Sequence, residues 1–98
     1  MIKVSFNLKK REIEIKGHAN FDEYGKDIVC SAVSVLTQFI AEIVKSEKVG
    51  KYIKKDGYLK INWSKDEMID KLANYLYYAL ISIEESYPDN LKVEVNSK

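Results

Sequence analysis

Near the start of the chain, apolar side chains fall on every second position: Ile2, Val4, Phe6 and Leu8 alternate with Lys3, Ser5 and Asn7, and Ile13 and Ile15 repeat the pattern within residues 12–16. A period of two predicts half-buried strands. The short Lys9-Lys10-Arg11 link predicts that the two strands pair as an antiparallel hairpin, and Gly17 closes the second. From about Asp27 to Lys48 the period becomes helical, with Val29, Ala32, Val33, Leu36, Ile40, Ile43 and Val44 at three-and-four spacing. Ile28, Val35 and Phe39 widen this stripe beyond what one sheet covers, which predicts a second buried surface, either the other helix or another subunit.

Two further strands are predicted over Val49 to Ile53 and Tyr58 to Trp63, turned at Lys55-Asp56-Gly57, where Asp-Gly suits a tight turn. Ser64-Lys65-Asp66-Glu67 reads as a capping box opening a second helix with the apolar face Ile69, Leu72, Ala73, Leu76, Leu80 and Ile83, ended by Pro88. Leu91 to Val95 alternates again and predicts a short edge strand. The expected fold class is α+β: a two-layer sandwich with an antiparallel or mixed sheet of four to five strands and two helices, in the order ββαββα plus a short final strand.

With 98 residues, 46% of them hydrophobic, the chain is expected to form one domain over residues 1–98. The N-terminus alternates in polarity without a signal-peptide core, and no stretch reads as the ~20 apolar residues of a bilayer span. The expectation is a cytoplasmic protein with no membrane partner. The single cysteine cannot staple the chain, so its thiol stays available for chemistry. Net charge is +1, but residues 45–60 carry six lysines against Glu47 and Asp56, while residues 61–98 carry four lysines against seven acids. Such a basic cluster is ordinarily a solvated face, and no direct nucleic-acid partner is expected.

The only histidine, His18, and the only cysteine, Cys30, stand twelve positions apart. A lone cysteine is usually a small buried hydrophobe. Three features favour chemistry instead. On a helical wheel Cys30 lines up with Ser34, Thr37, Ala41 and Lys45, away from Leu36 and Ile43; it falls in the first turn if Asp27 starts the helix, where the helix dipole favours thiolate; and His18 follows a strand-ending glycine that lets it project into a cleft. One His and one Cys, with only Asp22, Glu23 and Asp27 nearby, make a poor metal site, so no metal is expected. Gly25 lies in the connection Ala19 to Lys26, readable either as a mobile loop over a substrate or as a simple turn. Asp27 either caps the helix or orients His18, and Ser31 and Ser34 have no second histidine to activate them.

Gly17-His18-Ala19, a short loop, then Gly25-Lys26-Asp27-Ile28-Val29-Cys30 and Ser31-Ala32-Val33-Ser34 resemble the signature of the ribosomal-processing cysteine proteases, the Prp or YsxB-like family. The likeness extends over the whole chain, including Ser86-Tyr87-Pro88-Asp89 before the last strand. It implies a His18–Cys30 protease dyad, with Asp27 matching the motif aspartate and Gly17, Gly25 and Ser34 in support. It also implies no cofactor, a small two-layer homodimer, and a substrate that is the N-terminal extension of a large-subunit ribosomal protein precursor, cut after an aromatic pair. Ser31, where alanine is common, and Asn20-Phe21 in the loop depart from the family pattern without removing a reacting group. A different class of function is a non-enzymatic dimeric binding module of the translation apparatus, in which the basic hairpin and Tyr75, Tyr77 and Tyr78 meet a partner and Cys30 is inert.

Overall fold

The computed structural model of the chain describes residues 1–17 and 26–96, with residues 26 and 27 described through their backbone only. Five strands and two helices follow in the order β1 (Ile2–Asn7), β2 (Glu12–Lys16), α1 (Lys26–Ser46), β3 (Gly50–Lys55), β4 (Tyr58–Trp63), α2 (Glu67–Ser86) and β5 (Leu91–Asn96). The sheet runs β3-β4-β2-β1-β5. All neighbours are antiparallel except β1 and β5, which are parallel, so the sheet is mixed, as the α+β expectation allowed.

This order explains why both helices lie on one side. The connection β2-α1-β3 crosses the sheet in one direction and β4-α2-β5 in the other, but β2 and β4 run antiparallel. Two right-handed crossovers that are reversed in both strand direction and travel place their helices on the same face. That face carries the alternate apolar positions. Tyr52, Ile61, Ile13 and Phe6 form one row across the register, and Leu59, Ile15, Val4 and Val93 form the next. Val29, Val33, Ile40 and Val44 of α1 and Ile69, Ala73, Leu76 and Leu80 of α2 close over these rows.

The element ends show where local chemistry departs from the expected pattern. Asp66, not Ser64, caps α2: its carboxylate accepts from the Ile69 backbone N–H at 3.0 Å, while the Ser64 N–H is already donated to Val49 O at 2.7 Å. Helix α1 ends at Ser46, with Lys48 taking a left-handed conformation (φ 58) and Val49 N–H reaching back to Val44 O at 3.2 Å. By length and mean hydropathy, 1.7 over Ile28–Ser46, this helix would pass for a membrane span, contrary to the expectation from sequence. Its apolar residues are divided between two faces: Val29, Val33 and Val44 are in the core, whereas Ile28, Val35 and Phe39 remain 57%, 69% and 61% exposed. The same test is passed by core helices of globular domains.

Asp70 ties α2 to both hairpins. It accepts Arg11 Nε at 3.0 Å and Nη2 at 3.2 Å, and Trp63 Nε1 at 2.8 Å. The Arg11 guanidinium, and after it the Trp63 indole, hold its carboxyl below the usual aspartate range. A lowered folded pKa stabilises the fold above the unfolded value of about 3.9, and that stability is lost as pH falls through the folded value. Because the pair is partly exposed, the effect is discounted to about 1 kcal/mol. Urea unfolding at pH 6 and pH 2.5 should therefore show a smaller pH dependence in Asp70→Asn than in the wild type by about that amount, and equal dependences would mean that the cluster does not stabilise the fold.

Candidate active site

Cys30 sits on the side of α1 that faces the end of the second hairpin. It is half-buried, packs against the margin of the core, and lines a groove of ≈ 520 Å³. Ser34, Thr37 and Gln38 continue the same wall, one and two turns further along the helix. Ile15 and Leu59, adjacent in the β2–β4 register, line it from the sheet, and Lys54 to Tyr58, around the β3–β4 turn, form the opposite wall. The surface is thus apolar below and polar along its rims, a form suited to holding a peptide.

Two sequence expectations about Cys30 change. The buried stripe of α1 centres on Val33, Thr37 and Val44, each no more than 2% exposed, whereas Leu36 and Ile43 are only half-buried. Cys30 therefore borders the core stripe instead of lying opposite it. Helix α1 also begins at Lys26, which makes Asp27 part of the first turn and Cys30 the fifth residue, at the start of the second turn. The field of the helix end falls off within one turn, so it reaches the sulfur more weakly than a start at Asp27 would provide.

Gly17 lines the groove beside Cys30, so the described chain leaves β2 at the groove's edge, immediately before His18. Its N–H donates to Gly57 O at 3.0 Å, which joins the end of β2 to the β3–β4 turn. Its φ of 122° belongs to glycine, and a Cβ there would lie 2.3 Å from Met1 O. The structure thus brings Gly17, Cys30 and Ser34 together. His18, Gly25 and the rest of the 19–25 connection lie outside the described residues, as does the side chain of Asp27.

Thr37 and Tyr58 are groove residues held by bonds of their own. Thr37 is 2% exposed and donates through Oγ1 to Val33 O at 2.7 Å, which satisfies its hydroxyl inside the helix. Tyr58 donates to Glu14 Oε2 at 2.7 Å; this bond pushes the phenol up from its ordinary value and draws the Glu14 carboxyl down. Tyr58 thereby stays protonated and fixes the hairpin against β2. The contribution of residues 54–59 to the groove was not anticipated from sequence. The only signal for it was the unbroken lysine-rich turn at Lys54-Lys55-Asp56.

The model of the family described as cysteine protease Prp matches residues 1–92. The chain belongs to this family of cysteine proteases. Solved structures are similar over nearly the whole length. The Streptococcus mutans protein SMU.848 is 27% identical, with a TM-score of 0.81, and the match covers 100% of this chain and 96% of that one. The S. aureus ribosomal processing protease Prp with a substrate peptide gives a TM-score of 0.86 at 21% identity, covering 98% of this chain and 100% of that one. The same S. aureus protease with a covalently linked product peptide gives 0.83 at 22%, with the same coverage. At these identities the two S. aureus structures establish the fold, two layers with a mixed sheet. No curated protein matches the chain. Family membership makes the chain a cysteine protease and leaves the inert binding module without support.

Proposed function

We propose that this chain removes the N-terminal extension of a large-subunit ribosomal protein precursor, with Cys30 as nucleophile and His18 as its proton-transfer partner. One observation carries the reading: the only cysteine of a cysteine protease chain lines a groove with an apolar floor, where the end of β2 delivers the residue before the only histidine. Solved structures of the S. aureus ribosomal processing protease of the same fold, one with a substrate peptide and one with a covalently linked product peptide, support a peptide substrate of ribosomal processing.

In this mechanism the Cys30 thiolate attacks the scissile carbonyl carbon, forming a C–S bond. Protonated His18 gives its proton to the amide nitrogen as the C–N bond breaks, releasing the amine product. His18 then takes a proton from the water that hydrolyses the thioester, and the thiolate and imidazolium are restored. Ser34, one turn from Cys30 on the same wall, is a hydroxyl available to the peptide. Asp27 and Gly25 retain the supporting roles that the family signature implies, and the site of action is the cytoplasm. Incubation with the precursor should yield the shortened ribosomal protein, cut after an aromatic pair, as read by mass spectrometry. An intact precursor would defeat the proposal.

The same reading includes a homodimer. Ile28, Val35 and Phe39 lie along one outward line of α1, and Tyr75 and Tyr78, 65% and 68% exposed, stand on the neighbouring α2. Monomers rarely leave so many large apolar and aromatic side chains on two packed helices in water. Light scattering at micromolar concentration should give about twice the 11.3 kDa chain mass, and Phe39→Asp should return it to the monomer. A monomeric wild type would overturn the assembly.

A further inference from the structure

The groove has a chemically distinct far end. From Cys30 to Gln38 the helix advances eight residues, about 12 Å, the span of roughly three to four residues of extended peptide. At that end the Lys54 ammonium donates to Gln38 Oε1 at 3.1 Å, joining the helix wall to β3. In the sheet register Lys54 stands opposite Leu59, which in turn stands opposite Ile15, so the same row that lines the groove with apolar side chains ends in a cation.

The hydrogen-bonding capacity left at this end is one-sided. Oε1 of Gln38 accepts from Lys54 with one of its two lone pairs, its amide keeps two N–H donors, and the ammonium keeps two further N–H groups of its three. Lys55 adds a second positive charge to the lining, while Asp56, on the same turn, already has a bonded partner. Donors outnumber acceptors at this end, and the two lysines outweigh the one carboxylate of Asp56. Both Gln38 and Lys54 are exposed, so a peptide can reach them without unfolding anything.

We infer that Gln38 and Lys54 form a specificity subsite that takes a carboxylate side chain of the bound peptide, about three or four residues from the scissile bond, and disfavours a lysine or arginine there. The subsite rests on the protease reading for its register, but its own signature is a binding preference. An exposed ion pair of this kind is worth roughly a threefold preference at low salt, weaker at high salt.

The test uses fluorescent peptides built on the N-terminal segment of the ribosomal precursor, with Glu, Gln or Lys at each of four positions on either side of the cleavage point. Binding is read by anisotropy on Cys30→Ala, on Cys30→Ala with Lys54→Glu, and on Cys30→Ala with Lys54→Met. At one position Glu should bind about threefold more tightly than Lys, Lys54→Met should remove the difference, and Lys54→Glu should reverse it. Equal binding at every position, a preference untouched at residue 54, or no binding at all would overturn the subsite. Cleavage by the wild type is followed in parallel. Cleavage without the preference removes the subsite and leaves the protease, whereas the preference without cleavage does the reverse.

Discussion

Cys30→Ala should lower kcat/KM for the precursor by at least about 1,000-fold, because removing the nucleophile of an acyl-transfer pair eliminates the covalent route. The same substitution should leave the fold in place. Cys30 is half-buried at the core margin, and replacing its thiol by hydrogen removes one heavy atom from a site already open to the groove, at a cost of about 1 kcal/mol. Urea midpoints and cleavage rates of the two proteins, measured together, separate the roles. If Cys30→Ala unfolds, the sulfur is a packing element; if it cleaves normally, the nucleophile lies elsewhere. Alkylation completes the assignment, since iodoacetamide at pH 7 should modify wild-type Cys30 faster than free cysteine and His18→Ala should slow it. Equal rates in wild type and His18→Ala would remove the histidine from the pair.

Most elements were legible because they are amphipathic at their own period; β3, exposed apart from the half-buried Tyr52, was marked by the Asp-Gly turn that follows it. Val4, Phe6, Ile13, Leu59 and Ile61 alternate and are buried, and the residues between them face away from the helices. What periodicity does not encode is partnership. The Leu91-Lys92-Val93 alternation is equally satisfied beside β4 or beside β1, and the parallel pairing with β1 follows only from the second crossover. Asp66 caps α2 because the helix starts at Glu67, which leaves Ser64 two residues before the cap with its N–H bonded across to Val49 O.

The site was legible in part. The alignment of Cys30 with Ser34 and Thr37 on one helix face is a property of spacing, and these three residues do share the groove wall. The depth of Cys30 differs from what the spacing predicts because Leu36 and Ile43, central on a helical wheel, are only half-buried. In the folded chain the sheet lies under Val33 and Val44, and the outer apolar residues belong to a different face. The wall contributed by residues 54–58 depends on β3 lying at the sheet edge beside α1. That is a consequence of topology, and the lysine-rich turn Lys54-Lys55-Asp56 alone does not say which helix it faces.

Gly17→Ala should cost about 2 to 4 kcal/mol and lower turnover beyond what the lost stability explains. Two penalties coincide at this residue: a φ of 122° that side chains avoid, and a Cβ position 2.3 Å from the Met1 carbonyl oxygen. The oxygen cannot simply withdraw, because the next residue, Ile2, is 5% exposed and its N–H is bonded to Asn90 O at 2.9 Å. The end of β2 must move instead, which stretches the bond from Gly17 N–H to Gly57 O and displaces the residue that follows, His18. Stability would be read from urea midpoints, and kcat/KM at a temperature where the variant is fully folded. A drop of about tenfold or more in the folded variant, with Gly17→Val worse than Gly17→Ala, is the outcome expected if the glycine places the histidine. A variant as stable as the wild type would show that the strand end has room to adjust, and a destabilised variant with undiminished turnover would confine Gly17 to the fold.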